Sequence, residues 1–568
     1  MTSADAPQRP KTPAVLAALS RPKTRAMAVF GFAAGLPYAM VIGTLNAWLG
    51  EAGVNLATIG VLSWVGLAYA FKFLWSPAVD RIPPPFLKTL GRRRGWILIC
   101  QGLIAASLAL IASLNPGTQL GLFALAAVLA AFASATQDIV IDAWRIEAAD
   151  DGSPLDLMSA VYQFGYRVAA LVGGAGALML AARLSWNGVY AAGAVIMLLA
   201  LIGALMAPEP ETPPLARRLG QHLIEPGALA PRVRNAALIA VLIGWGWAIA
   251  TLGMFMASVV AADPADPQRP SARDFMAHTG PWIIVATVIF PAFISAGLDW
   301  MRRHGRNTLT EPLPRPTGAQ AALDHLYGAI LEPLAELVGR MRFAAILVLA
   351  LILLYRITDS IWGPLAFPFY LTELKYTNDE VAFASKIFGT IMTIAGIALG
   401  GVALVRIGRM ASVTIGAAIA AASNLLYADL ARGGQGLDAF LHVTGLSALL
   451  GVFGLDDRMG RLLLAISGEN IAGGFAGAAF VAYLSAIVSR DFSAVQYALL
   501  SSLTLLVGSL GRGPVGEAAQ TMGYAPVFDI TALIGLAAVA LCLAEWARQG
   551  MAARKAALAP GAAQRSQV

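Results

Sequence analysis

The chain has 568 residues, 58% of them hydrophobic and only 13% charged, with a formal net charge of +7. Charge at about half the share usual in soluble domains, set among apolar runs of roughly 20 residues, excludes a soluble globular protein and defines a polytopic membrane protein. The basic excess falls in short loops, so membrane topology explains it better than nucleic-acid binding, and the two cysteines, Cys100 and Cys542, lie in apolar runs that suit neither a disulfide framework nor a zinc site.

The first 25 residues are polar and carry Arg9, Lys11, Arg21, Lys23 and Arg25. The apolar run behind them has full spanning length and further runs follow, so 1–25 reads as a retained cytoplasmic tail rather than a signal peptide. Hydropathy then predicts about fourteen spans, near 27–50, 57–79, 95–114, 118–142, 158–182, 187–207, 236–261, 281–299, 343–366, 380–405, 411–430, 461–488, 494–511 and 527–546. The segment 440–455 is short and interrupted, and reads as an interfacial piece of a periplasmic loop. With the N-terminus inside, the inner loops hold Arg81, Lys88, Arg92–Arg94, Arg217, Arg218, Arg232, Arg234, Arg302, Arg303, Arg306, Arg406 and Arg409, and the tail holds Arg548, Arg554 and Lys555. That bias places both termini in the cytoplasm.

The loop after the second span reads WSPAVDRIPPPFLKTLGRRRGW. Its Asp80-Arg81 and Gly91 with Arg92–Arg94 resemble the loop 2–3 motif of the major facilitator superfamily, split here by Pro83–Pro85, and GGVALVRIGRM at 400–410 is a weaker echo. The implied fold is an all-α membrane protein of two six-helix halves, at 26–207 and 342–547, with an extra two-helix hairpin at 236–300 between them. Residues 208–235 form a cytoplasmic loop, and 548–568 a cytoplasmic tail. In the linker 301–341, Leu323, Leu326, Ile330, Leu334 and Leu337 recur at helical spacing, which predicts an amphipathic helix on the inner membrane face.

Charges inside the spans are the candidate functional residues, because each costs several kcal/mol in hydrocarbon unless paired or wet. Asp138, Asp142 and Arg145 share one helical face in AFASATQDIVIDAWRIE at 131–147. Lys72 lies eight residues before Asp80, about 12 Å inside the cytoplasmic edge, and Asp138 and Arg167 fall at a similar depth. Lys72, Asp138 and Arg167 are therefore expected to meet and to leave one positive charge for an anionic substrate, with Arg167 as a carboxylate clamp. Gln137 and Gln163 are candidates to hydrogen-bond polar groups of a substrate, and Arg356 and Asn470 complete the substrate set. Asp138, Asp359 and Glu469 are the proton-carrier candidates, and Asp359 and Lys386 are spaced to pair. That pair has a second reading as a lock between two helices. Asp80, Arg81, Arg92, Arg93, Asp142 and Arg145 lie at the inner edge and read as a gate network. The glycines around Glu469 and Asn470 read as close-packing positions. Nothing suggests a metal, a cofactor or a catalytic residue.

GFAAGLPYAM at 31–40, LATIGVLSWVGLAYAFKFLWSPAVDR at 56–81, GRRRGW, SATQDIVIDAW at 134–144, LYRITDS at 354–360 and SGENIAGG at 467–474 together resemble the AmpG family of muropeptide permeases. The acetyl-CoA transporters share a QDI-x-x-D-x-W stretch, which keeps another organic anion as the alternative. The AmpG resemblance implies a monomeric, multi-pass carrier in the inner membrane of a Gram-negative bacterium. It would import anionic GlcNAc-1,6-anhydroMurNAc peptides together with protons, for peptidoglycan recycling, and would influence beta-lactamase induction. An integral-membrane enzyme, the reading from a different class, would require a catalytic constellation in place of charges spread over separate helices.

Overall fold

The fold follows from a chain that must satisfy its own backbone in hydrocarbon, where helices do so within one segment. A computed structural model describes residues 17–54, 63–181, 183–211, 223–224, 226–261, 270, 272–314, 317–342, 344–355, 366, 369–504 and 521–558. Among them, eleven helices are long and apolar enough to cross a membrane, or twelve if a bent pair is one span. The eleven coincide with eleven of the predicted spans. The other three, near 57–79, 343–366 and 494–511, each include residues outside the described set. The count of fourteen is thus matched at eleven positions.

Two compact units emerge. The first comprises 11–342 and 484–513, and the second 1–10, 343–483 and 514–568. In the first, α1 (Pro22–Glu51) is followed by the short helix α2 (Ser76–Arg81), then α3 (Arg92–Ser113), α4 (Leu120–Ala148), α5 (Leu155–Ala181) and α6 (Trp186–Met206). α1 packs on α5, and α3 packs on both α4 and α6. The α1–α5 contact is a small-residue seam. A Cβ on Gly31 would lie 2.2 Å from the Tyr162 carbonyl oxygen, one on Gly35 2.4 Å from that of Tyr166, and one on Gly165 2.4 Å from that of Ala28. Backbones approach this closely where side chains are absent. Both helices also contain a π turn, at Ala39–Thr44 and Val172–Gly176. The Thr44 hydroxyl donates to the Gly173 carbonyl at 2.5 Å, joining the two irregular turns.

The hairpin is formed by α7 (Pro231–Ala261) and α8 (Gly280–Arg303). Two-residue strands, β1 (Leu223–Ile224) and β2 (Leu313–Pro314), pair antiparallel at its base, where no strand was expected. The linker helix is α9 (Ala319–Met341), which packs on α7, α8 and α2. Its buried stripe is Tyr327, Ile330, Leu331, Leu334 and Leu337, whereas Leu326 is exposed. The expected amphipathic pattern is therefore rotated slightly, and the stripe faces protein. Arg234 of α7 pairs with Asp324 and lies over the Tyr327 ring, while Arg303 of α8 donates to the Gly339 carbonyl.

In the second unit come α10 (Ala344–Tyr355), α11 (Asp379–Arg406), α12 (Arg409–Ala431), α13 (Gln435–Val443), α14 (Leu446–Val452), α15 (Asp457–Ile487, whose last four residues belong to the first unit) and α16 (Tyr524–Leu558). The short α13 and α14 occupy the interrupted segment predicted between spans. α12 packs on α16, and α11 meets α15 through another glycine seam. A Cβ on Gly396 would sit 2.2 Å from the Ile471 carbonyl oxygen, and one on Gly474 2.2 Å from that of Thr393.

The seam yields a direct test. Gly31→Val should destabilise the first unit by about 1–3 kcal/mol or more, because the obstacle is backbone rather than a movable side chain. Gly43→Val on the same span, where nothing lies within 4 Å, should not. Thermal unfolding of the two purified variants in one detergent measures the difference.

Candidate functional site

In the first unit, one buried ladder of charges joins α4 to the second predicted span. Lys72 begins a 3-10 turn, Lys72–Leu74, and is 6% exposed. Its Nζ lies 3.5 Å from Asp142 Oδ2 and 3.9 Å from Asp138 Oδ2. The two carboxylates stand one turn apart on α4, so a single ammonium reaches both. Arg145 Nη2 then donates to Asp142 Oδ1 at 2.9 Å. Its guanidinium also donates to Ser485 Oγ and lies 4.8 Å from the Tyr162 ring centroid and 5.1 Å from that of Tyr497. Two cations and two carboxylates thus neutralise each other, and Lys72 and Asp138 of the expected binding site join Asp142 and Arg145 of the expected gate in one chain. Each member would be costly to bury alone.

Around this ladder the polar groups divide. Gln137 Nε2 donates to the Ala33 carbonyl at 2.9 Å, tying α4 to α1. Gln137 Oε1 and Asp138 Oδ1 are buried without a hydrogen-bond partner among the described residues. Gln163, Tyr166 and Arg167 share a partly buried strip of α5. Tyr69, 5% exposed, and Ser134, fully buried, lie beside Asp138.

At the end of α4 a second network forms. Arg93 Nη2 lies 2.5 Å from Asp80 Oδ1 and 2.5 Å from Glu147 Oε1, and Arg93 Nε donates to Glu147 Oε2 at 3.0 Å. Ser493 Oγ donates to Glu147 Oε1 at 2.6 Å. Arg92 adds a 2.7 Å bond to the Asp80 carbonyl and a 3.4 Å contact with Glu147. The α3 N-terminus is fixed from the other side, where the Glu209 carboxylate accepts from the Arg93 and Arg94 backbone amides at 2.7 and 2.8 Å. An anion there satisfies amides that no helical turn can. Gly91 makes the entry possible, since its φ is +97° and a Cβ would strike Glu209. The Arg81 side chain lies outside the described residues. Beyond the helix end, Lys23 lies 2.5 Å from Asp150 and its hydrogen bond holds that carboxyl below its ordinary range. This contribution is present above about pH 3.9 and is lost as pH falls through the lowered value.

The second unit contains a different arrangement. Tyr427 donates to Glu469 Oε2, and the Tyr370 and Tyr427 hydroxyls lie 2.8 Å apart. Phe369, Tyr524 and Phe528 pack around these rings. Asn470 accepts from the Thr393 hydroxyl at 2.8 Å and donates to the Ile466 carbonyl at 2.9 Å, within the α11–α15 seam. Lys386 is exposed in a π turn, Ala382–Phe388. Arg356 and Asp359 lie outside the described residues, and so does the expected Asp359–Lys386 pair.

Sequence reasoning missed Glu209, Ser485, Ser493, Tyr497, Tyr427 and Tyr370. Serines and tyrosines in apolar runs carry no charge signal, and Glu209 sits outside any span. Trp48 and Trp245 are 6% and 7% exposed. Trp48 stacks on Trp186, and Trp245 donates to the Thr287 carbonyl.

Comparison with known proteins bears on these features. The sequence profile described as Major Facilitator Superfamily matches residues 26–456. The chain is similar to the anhydromuropeptide permease of Escherichia coli (strain K12), with 29% identity over 531 residues, 92% of this chain and 80% of that one. It is also similar to "Putative transporter AmpG 4" of Rickettsia conorii, with 26% identity over 513 residues, 90% of this chain and 93% of that one. Among solved structures, the proton:xylose symporter XylE aligns with TM-score 0.51 and 13% identity over 93% of this chain and 95% of that one. FucP in the outward conformation aligns with TM-score 0.52 and 11% identity over 91% of this chain and 97% of that one.

The Arg93 network predicts a large effect. Arg93→Ala strands Asp80 and Glu147, two buried carboxylates, and should cost about 3–5 kcal/mol of stability. Adding Asp80→Asn and Glu147→Gln should recover part of it. The apparent melting temperatures of the single and triple variants give the comparison.

Proposed function

Because the chain belongs to the major facilitator superfamily, we propose that it is a proton-coupled secondary carrier of anhydromuropeptides, GlcNAc-1,6-anhydroMurNAc peptides, moving them from periplasm to cytoplasm. The observation that carries the mechanism is the buried ladder Asp138–Lys72–Asp142–Arg145. Similarity to an anhydromuropeptide permease along nearly the whole chain supports the substrate. Both named relatives are transporters, which favours transport over catalysis.

The ladder suits a coupled cycle on elementary grounds. Lys72 is shared between two carboxylates, so neither holds it exclusively. An arriving substrate carboxylate competes for Lys72, with Arg167 offering a planar fork on α5. An Asp released from Lys72 in a low-dielectric site favours its protonated form. Substrate and proton then load together without leaving an uncompensated charge. Gln137 and Gln163 supply amides for sugar and peptide groups, and Asn470 does so in the second unit.

Glu469 is the second proton carrier in this scheme. The Tyr427 phenol donates to it, and a change in water access alters that hydrogen bond. Asp359 is a third candidate, with Lys386 as its partner. Asp80, Arg81, Arg92, Arg93, Asp142 and Arg145 act as the inner gate. Their ion pairs must break and reform as access alternates. The carrier resides in the bacterial inner membrane with both termini cytoplasmic. By setting the cytoplasmic muropeptide level it influences beta-lactamase induction.

The test is uptake of labelled anhydromuropeptide by cells lacking any other such permease. Wild type should accumulate label, and Arg167→Ala and Asp138→Asn at equal membrane abundance should fall at least about tenfold. No uptake by wild type removes the muropeptide reading in favour of another organic anion. Full uptake by both variants keeps the substrate and removes this site. In proteoliposomes, an inward proton gradient should accelerate wild-type uptake, and Glu469→Gln should flatten its pH dependence. A gradient without effect overturns the coupling.

A further inference from the structure

We propose that the linker helix α9 is the latch of the inner gate, and that Gln496 is the positioning residue through which it holds. The inference rests on the carrier reading above for what the gate does, and it gives the linker and the extra hairpin a shared role.

The parts of the gate have one neighbour in common, the short stretch 485–497 of the first unit. Ser485 Oγ accepts from the Arg145 guanidinium, and the Tyr497 ring centroid lies 5.1 Å from the same group. Ser493 Oγ donates to Glu147 Oε1 at 2.6 Å and accepts from Arg93 Nη2 at 3.3 Å. Arg490 Nη2 donates to the Ala149 carbonyl at 2.8 Å, just past the end of α4. One segment therefore touches the charge ladder, the Arg93 network and the α4 terminus.

From its other side the same segment is held by α9. Gln496 is fully buried, and its Nε2 donates to the Pro333 carbonyl at 2.8 Å and to Glu336 Oε2 at 2.7 Å. Its Oε1 accepts from the Ser489 backbone amide at 2.8 Å, which fixes the turn that carries Arg490 and Ser493. Removing this one amide unmakes three hydrogen bonds at a buried point. Arg340 adds a bond from Nη2 to the Ile487 carbonyl at 2.8 Å, and its own ion pair with Glu336 at 2.7 Å steadies both side chains.

α9 is itself anchored away from the gate. It packs on α7 and α8 of the hairpin, where Arg234 pairs with Asp324 and Arg303 donates to the Gly339 carbonyl. It also packs on α2, the helix that presents Asp80 to Arg93. The helix thus meets both the element that carries Asp80 and the segment that carries Ser493. So placed, it resists movement of 485–497 away from Glu147. A latch made of a few directional hydrogen bonds can release and re-form in each cycle.

The test uses the full chain with a reporter cysteine, Ala149→Cys, beside Arg490. Ala149 is 8% exposed and the native Cys100 and Cys542 are buried, so labelling by a bulky maleimide should be slow. Gln496→Leu removes the amide, and should speed labelling of the folded, detergent-purified protein about tenfold or more. Gln496→Glu sets a second carboxylate against Glu336 and should act in the same way. Adding Glu336→Gln should bring labelling back to within about threefold of the reporter alone. In proteoliposomes, Gln496→Leu should raise the KM for labelled anhydromuropeptide about fivefold or more, with kcat changed less, because fewer carriers stand with the inner gate shut. A merely structural role would lower folded yield and leave the labelling rate and KM of the folded fraction unchanged. Should Gln496→Leu not reach the membrane, Arg340→Ala removes the Ile487 bond and supplies the same comparison. Labelling of these variants at the rate of the reporter alone overturns the latch. No wild-type uptake overturns the carrier reading, and the labelling rates then decide the latch by themselves.

Discussion

Everything in the first unit depends on one constraint, that a charge buried among apolar helices must be answered by another. Lys72 lies between two carboxylates, Asp142 is held from both sides by Lys72 and Arg145, and Arg145 spreads over two aromatic rings as well as a carboxylate. The same rule orders the network around Arg93, where one guanidinium serves both Asp80 and Glu147. Such pairs add little net stability over an apolar replacement, yet losing one member is expensive. Expensive, discrete arrangements of this kind suit a molecule that must pass between states rather than drift among them.

A second physical device makes these charges reachable. Helices in lipid gain little from hydrophobic burial against one another, so close approach relies on small residues. Gly31, Gly35 and Gly165 bring α1 and α5 together, and Gly396 and Gly474 do the same for α11 and α15. Each seam carries functional candidates along it. Tyr166 and Arg167 ride on the first, and Asn470 bonds to Thr393 across the second. The glycines that read in the sequence as packing positions therefore set where polar side chains stand.

Much of the architecture was legible because hydropathy is a local property. Span positions, the hairpin, the linker helix and the interrupted 440–455 segment can all be read from a window of about 20 residues. Resemblance in the motifs around 31–40, 56–81 and 134–144 pointed to the family that the sequence comparisons then supported. Candidate charges were also legible, since an Asp or Arg inside an apolar run is conspicuous. Their neutral partners were not. Ser485, Ser493, Tyr497 and Tyr427 look like ordinary helix residues until another helix presents a charge to them. The stripe on α9 was read slightly off its true direction for a related reason, because the apolar face of a helix is broad and its neighbours choose the centre.

By itself, the sequence determined that this chain lives in a membrane, roughly where it crosses, and which rare charges it carries there. Those properties depend on composition along one dimension. Only the tertiary structure decided which charges share a partner. Depth along a helix axis placed Lys72, Asp138 and Arg167 at one level, but depth leaves rotation about the axis free. Packing of the second predicted span against α4 turned Lys72 towards Asp138 and Asp142 together, and so joined residues read as binding site to residues read as gate.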